Sequence, residues 1–129
     1  MNVKINTKER FIVLILQETN IPANMTDDIT QLADYVQPGI PHLIINMKEV
    51  ASIAREAGHK LASLQQEFYE RNHSFVICEL QEGVQQIFDS EELTDTMNIT
   101  PTESEACDIV QLEEIERELL GDDIEVSNL

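Results

Sequence analysis

The stretch HLIINMKEVASIAREAGHKLASLQQEFYE, residues 42–70, joins a continuous apolar run to an amphipathic segment, and this junction decides the fold. HLIIN at 42–46 has the unbroken apolar character of a strand that is buried on both faces. The apolar positions that follow step by 4, 4, 3 and 4 residues, as on one face of a helix; they are Ile53, Ala57, Leu61, Leu64 and Phe68. A strand that leads directly into a helix is typical of an α/β domain.

Upstream of this stretch, the pattern predicts a hairpin and one more helix. NVKIN at 2–6 alternates apolar and polar residues like a half-buried strand, and FIVLIL at 11–16 reads as a central strand. The segment after the hairpin contains a proline and is predicted to be a loop. MTDDITQLADYV at 25–36 predicts a helix, with Asn24 or Thr26 as its N-cap and a Pro-Gly pair as its stop.

Downstream, two more strands alternate with two more helices. FVIC at 75–78 predicts a buried strand, residues 82–90 a short helix, and MNI at 97–99 an edge strand. TESE at 102–105 is a capping box that opens a last helix, and Gly121 is its predicted stop. The positions of this last helix that we expect to face the core are Ala106, Ile109, Val110, Ile115 and Leu119.

The predicted order is therefore β-β-α-β-α-β-α-β-α. Strands that alternate with helices require crossover connections, so the sheet should be mostly parallel. The first hairpin then supplies an antiparallel edge.

The charge of the chain excludes some classes of partner. The chain has 129 residues, 42% of them hydrophobic, enough for one domain with a core. Its net charge is −17, and residues 91–129 hold thirteen acidic residues against a single base, Arg117. Nucleic acids and anionic membranes require clustered Lys and Arg, so neither is expected as a partner. The acidic third is either a solvated surface or a surface for a basic partner.

Sequence features also bear on the compartment and on catalysis. Cys78 and Cys107 lie in apolar runs without metal-ligand or redox spacing, which is typical of thiols in a reducing compartment. Nothing resembles a signal peptide or a membrane span, so we expect a cytoplasmic protein. The three histidines, His42, His59 and His73, lack metal-ligand spacing, and no P-loop, GxGxxG or GxSxG occurs. We therefore predict no enzyme, no cofactor and no metal site.

Three motifs in this order carry a resemblance to a known family. They are HLIINMKEV at 42–50, NHSFVICELQEGVQQIF at 72–88 and MNITPTESEACDIVQLEEIEREL at 97–119. The chain resembles the STAS domain of bacterial anti-sigma factor antagonists, which act in signal transduction and transcription regulation. The resemblance implies an α/β STAS fold, a four- to five-stranded mixed sheet with about four helices. We expect this domain to span residues 1–120 and an acidic flexible tail to span 121–129.

The resemblance also implies where the family's chemistry would lie. In typical members, a kinase-type anti-sigma factor phosphorylates a serine in an Asp-Ser-Ser-Gly turn at the start of the second helix. Carried over without a gap, these four positions fall on Ala54, Arg55, Glu56 and Ala57. Arginine cannot accept phosphate, so this region is a degenerate phosphoacceptor site. Ser52 is the nearest substitute acceptor, although we expect it to cap the helix or to lie in the loop. Ser63 lies two turns into the helix, where a kinase cannot easily reach its backbone, and Glu56 could imitate a phosphate.

The resulting prediction is a non-enzymatic protein-interaction module that lacks the usual serine switch. Its partner would be an anti-sigma factor or another kinase-like regulator, bound through Arg55, Glu56 and His59 with Asn24 and Met25 beside them. The oligomeric state stays open, with a homodimer among the options. The alternative is a sensor domain that binds a small molecule or nucleotide, although the net charge of the chain disfavours an anionic ligand.

Overall fold

The computed structural model describes the backbone of residues 1–127 and the side chains of residues 1–120. Its strands are β1 (Val3–Thr7), β2 (Phe11–Leu16), β3 (Asn20–Ile21), β4 (His42–Asn46), β5 (Ser52–Ile53), β6 (Phe75–Cys78) and β7 (Ile99–Thr100). Its helices are α1 (Thr26–Gln31), α2 (Arg55–Glu70), α3 (Glu82–Ser90) and α4 (Glu103–Ser127). Two short 3₁₀ turns, Ala23–Met25 and Leu32–Tyr35, flank α1.

The main sheet has five strands in the order β1-β2-β4-β6-β7. β1 and β2 pair antiparallel as a hairpin, and every other neighbouring pair is parallel. This confirms the predicted mixed α/β sheet with four helices. The sequence did not predict the second, two-stranded parallel sheet of β3 and β5. Each of these strands is two residues long, too short to produce a period in the sequence.

Helices cover both faces of the main sheet. Alternate residues of β2 point to opposite sides, so Ile12 and Leu14 pack with α1, α2 and α3 while Val13 packs with α4. The larger core therefore lies on the three-helix side, and a smaller one lies under α4. The predicted apolar face of α2 is buried as expected, although Ile53 belongs to β5 rather than to the helix.

Two predicted elements differ from the structure, β1 in its burial and α1 in its caps. Ile5 of β1 is 49% exposed, and only Val3 of that strand is partly buried, so β1 is not the half-buried strand that its pattern predicts. The predicted caps of α1 are also wrong. Met25 holds the N-cap position, and no side chain caps the helix. The backbone enters α1 directly from the 3₁₀ turn, so the extended conformation that a capping Asn24 or Thr26 needs does not arise.

Helix α4 begins as predicted, but two of its predicted core positions face solvent. The capping box is confirmed, because the Glu105 N–H donates to Thr102 Oγ1 and the Thr102 N–H donates to Glu105 Oε2, each at 3.2 Å. Ile115 and Leu119, predicted to face the core, are 51% and 58% exposed. Glu113, Glu114 and Arg117 lie on the side of α4 that reaches the starts of β4 and β6, so Ile115 and Leu119, on the opposite side of the helix, face solvent.

The predicted stop of α4 at Gly121 is wrong, because the helix continues to Ser127. Glycine inside a helix costs only about 1 kcal/mol relative to alanine, so it permits an end without imposing one. The flexible acidic tail over 121–129 stays a prediction. No helix within the described residues is long and apolar enough to cross a membrane.

Candidate functional site

The chain turns sharply between β4 and the start of α2, and a buried asparagine fixes this turn. Asn46 Oδ1 accepts the Lys48 N–H at 2.9 Å, and Asn46 Nδ2 donates to Glu103 Oε1 at 2.9 Å. The resemblance aligns Asn46 with an aspartate of the family. An aspartate could not donate to Glu103 and would repel its carboxylate, so the amide here matches a neighbouring acid at the start of α4.

The small second sheet holds the next residues of the turn. The Ala51 N–H donates to the Thr19 carbonyl at 2.7 Å, and the Ala54 N–H donates to the Ile21 carbonyl at 2.8 Å. The 3₁₀ turn Ala23–Met25 follows immediately and packs against α2. The loop that was predicted between the hairpin and α1 is thus tied to the segment that enters α2, and it brings Asn24 and Met25 to this region.

Helix α3 fixes the turn from its other side. A Cβ on Gly83 would lie 2.6 Å from the Ala51 carbonyl oxygen, so only glycine lets α3 approach the turn this closely. Gln81, just before α3, donates through Nε2 to the Lys48 carbonyl at 2.7 Å. The turn before α2 is therefore held by hydrogen bonds from two neighbouring segments, residues 19–21 and Gln81.

The first turn of α2 presents two charged side chains to solvent. Ala54 holds the N-cap position in an extended conformation and has no side-chain group to cap the helix. Arg55, the first helical residue, has a side chain that is 72% exposed. Its Nε donates to Glu56 Oε1 at 2.9 Å, and this bond raises the pKa of the Arg55 guanidinium. Ala57, next in the chain, is fully buried and belongs to the core.

The ion pair explains how an arginine is tolerated at this position. A cation in the first turn of a helix is placed unfavourably against the helix dipole. The carboxylate of Glu56 lies in the same turn, where the dipole favours an anion. The pair therefore offsets the unfavourable placement of Arg55 without closing off its exposed guanidinium.

A second charged contact lies one turn further along α2. His59 Nε2 and Glu91 Oε1 are 2.8 Å apart, and Glu91 is the residue that ends α3. The two helices approach closely at Gly58, where an added Cβ would lie 3.4 Å from side-chain carbons of Phe88 and Leu93. Glu91 was not predicted as a site residue. No local pattern could identify it, because helix packing alone brings it to His59.

We call the charged residues at this end of α2 the helix-start surface. It consists of Arg55, Glu56, His59 and Glu91, with Asn24 and Met25 nearby. Ser52 lies in β5 and hydrogen-bonds to Asn20, so it does not cap α2. Ser63 is exposed on the outer side of α2, inside regular helix.

Comparisons with known proteins agree on one family and one fold. The family model described as the STAS domain matches residues 3–106. The fold resembles that of a protein from Thermotoga maritima assigned as an anti-sigma factor antagonist, with a TM-score of 0.72, 14% identity, and coverage of 84% of this chain and 94% of that one.

Two structures of a named antagonist also match. One is the anti-sigma factor antagonist SpoIIAA in its unphosphorylated form, with a TM-score of 0.67, 13% identity, and coverage of 85% of this chain and 96% of that one. The other is the Bacillus cell fate determinant SpoIIAA in its phosphorylated form, with a TM-score of 0.55, 16% identity, and coverage of 84% and 99%. No curated protein matches the chain.

Proposed function

This chain belongs to the STAS domain family, and from that premise we propose that it is a protein-interaction domain that works without a serine switch. Its partner is an anti-sigma factor or a related kinase-like regulator. The contact is made through the helix-start surface. The domain carries out no chemistry of its own.

The composition of the first turn of α2 is the observation that carries this proposal. SpoIIAA is described in both phosphorylated and unphosphorylated forms. In this chain, residues 53–62 contain no hydroxyl side chain, and Arg55 falls on the acceptor position that the family resemblance implies. A phosphate would add about two negative charges at this helix start. Arg55 instead keeps a positive charge there at every physiological pH.

The surface is suited to a charged protein partner. Arg55 and Glu56 are exposed, and the imidazole of His59 is held by Glu91. Exposed charges of this kind set the orientation and rate of docking more than they set the affinity. Met25 adds a partly buried apolar side chain beside them. The proposed contact therefore combines one partly buried apolar side chain with exposed charged side chains.

Variants at the two ends of α2 test the location of the contact. Purified anti-sigma factor from the same organism is titrated with wild type, R55D and R71D by calorimetry. Reversing the charge at Arg55 should weaken binding about tenfold or more, because it places like charges beside Glu56 and changes the charge offered to the partner. Arg71, at the far end of the helix, is the matched control and should leave the affinity unchanged. Equal affinities for all three proteins would remove the helix start from the interface.

A cytoplasmic location is part of the same proposal. Cys78 and Cys107 are both free thiols, and burial raises the pKa of Cys78 to about 12. Unpaired thiols fit a reducing compartment, so we place the protein in the cytoplasm.

The alternative function, a sensor for a small molecule, is favoured by one observation. A cavity lined mainly by basic side chains lies at the opposite end of α2 from the helix-start surface.

A further inference from the structure

Basic side chains converge on a cavity of about 350 Å³ at the end of the sheet where β4 and β6 begin. Three of the four arginines and two of the three histidines of the chain line it, together with two glutamates: Arg10, His42, Arg71, His73, Glu114, Arg117 and Glu118. In a chain with a net charge of −17, this concentration of cations is unusual. From it we propose that the cavity binds a small molecule through a phosphate or carboxylate group.

One of the two glutamates is already neutralised by its neighbours. Glu114 Oε1 accepts a hydrogen bond from Arg10 Nε at 2.8 Å, and Glu114 Oε2 lies 2.5 Å from His42 Nε2. Burial acts to raise the pKa of Glu114, but these two bonds outweigh it and hold the pKa below its ordinary value. Glu114 thus stays ionised with both oxygens engaged, and it leaves Arg71 and Arg117 to face a ligand.

The guanidinium of Arg117 is anchored through one terminal nitrogen, and its other terminal nitrogen has no hydrogen-bond partner among the described residues. Its Nη2 donates to Ser74 Oγ at 3.0 Å, and its guanidinium carbon lies 6.0 Å from the centre of the Tyr69 ring. Ser74 in turn donates to Glu113 Oε1 at 2.7 Å. Arg117 Nη1 is buried and has no hydrogen-bond partner among the described residues. A buried donor without a partner is costly, and an anionic oxygen is its strongest acceptor.

Arg71 is an available second donor. It is the residue that ends α2, it is exposed, and within residues 1–120 its side chain forms no hydrogen bond or ion pair. Arginine presents a planar fork of N–H groups that matches the oxygens of phosphates and carboxylates. Arg71 and Arg117 therefore line the same cavity, one with an exposed guanidinium and the other with a guanidinium that is anchored to Ser74.

The pKa values of both cavity histidines are lowered from their ordinary value. Burial lowers the pKa of His73, and the positive charges of Arg117, Arg71 and Arg10 lower it further. Burial likewise lowers the pKa of His42, whose Nδ1 accepts the Ser74 N–H at 2.9 Å. With both histidines neutral, the three arginines that line the cavity exceed the two carboxylates of Glu114 and Glu118 by one charge, so the cavity is positive even though the molecule is strongly acidic. At physiological salt, exposed charges more than about 8 Å apart are largely screened from each other. The charges that line the cavity therefore dominate for a bound anion.

An NMR titration tests this proposal. Inorganic phosphate and, separately, acetate are added at constant ionic strength while the imidazole resonances of His42 and His73 are followed, with His59 as the internal reference. Saturable shifts at His42 and His73 that are absent at His59 are expected. Tighter binding of phosphate identifies a phosphoryl ligand and tighter binding of acetate identifies a carboxylate ligand, and either result supports the proposal.

Two arginine variants complete the test. R71Q removes a cavity arginine at an exposed position and should weaken binding about ten- to a hundredfold, the typical value of a charge-assisted hydrogen bond. R55Q removes an exposed arginine outside the cavity and should leave the affinity for phosphate and acetate unchanged. Shifts at His42 and His73 no larger than those at His59, or equal affinities for R71Q and R55Q, would overturn the proposal. Because R71Q lies outside the helix-start surface, its result is independent of partner docking.

Discussion

His42 is a buried histidine whose two ring nitrogens are both engaged. Nδ1 accepts the Ser74 N–H, so the proton of the neutral ring lies on Nε2 and is shared with Glu114. Burial lowers the pKa of His42 in the folded protein. As the pH falls below about 6.5, the unfolded chain takes up a proton that the folded chain refuses, so the free energy of unfolding decreases.

The H42Q variant should therefore have a flatter pH dependence of stability than wild type. A single histidine contributes at most about 1.4 kcal/mol per pH unit to this slope. Urea unfolding between pH 7 and pH 5 measures it, with H59Q as the control at an exposed position. His73, whose pKa is also lowered, supplies the remaining slope in H42Q. An unchanged slope in H42Q would contradict the assignment of the neutral ring.

Gly83 is the second residue whose role can be isolated. A side chain there would meet the Ala51 carbonyl oxygen at 2.6 Å, and the opposing atom is backbone that cannot rotate away. We expect G83A to lower the free energy of unfolding by about 1–3 kcal/mol, as is typical of overpacking.

The matched control for G83A is G58A. A methyl group at Gly58 would be 3.4 Å from flexible side chains, and alanine gains about 1 kcal/mol of helix propensity. G58A should therefore cost less than G83A in chemical denaturation. A larger loss for G58A would mean that the approach of α3 to the turn before α2 is looser than described.

Among the elements, α4 offers a direct test of its capping box. Thr102 Oγ1 accepts the Glu105 N–H, whereas Thr26 at the start of α1 makes no capping bond. T102A should lower the free energy of unfolding by about 0.5–2 kcal/mol, and T26A should change it much less. Thermal and urea unfolding of both variants measure the difference. Equal losses would show that the contrast between the two helix starts is wrong.

The elements that could be predicted from the sequence are those whose apolar pattern follows directly from the burial of one or both of their faces. β2, β4 and β6 are continuous apolar runs because helices cover both of their faces. The face of α2 repeats at the helical period because one side of the helix lies on the core. Ile115 and Leu119 are exposed because they lie on the side of α4 opposite Ala106 and Val110. The side that faces the sheet is continued by polar residues, Glu113, Glu114 and Arg117, so apolar character alone does not identify it.

The contacts of the two candidate sites could not be predicted, because they join residues that are distant in the chain. Asn46 meets Glu103, His59 meets Glu91, and His42 meets Glu114 only after the helices have packed on the sheet. The sequence did identify Arg55 and Glu56 as surface residues at the start of α2. It gave no sign that Arg10, Arg71 and Arg117 would share one cavity.

Across the whole molecule, α2 separates two regions of different chemistry. Its start carries the helix-start surface, and its end carries the cavity with Arg71. The acidic residues that dominate the net charge lie mainly from residue 91 onward, and most of these lie in α4. We propose that the protein binds its partner at the start of α2 and a small anion near the end of that helix.

The absence of a serine switch is tested by incubating the protein with an anti-sigma kinase of its own organism and ATP, followed by peptide mass spectrometry and calorimetric titration. We expect no phosphate on residues 50–60 and the same affinity for the kinase with ATP as with a non-hydrolysable analogue. A phosphate within residues 50–60, or loss of binding after incubation with ATP, would contradict this expectation.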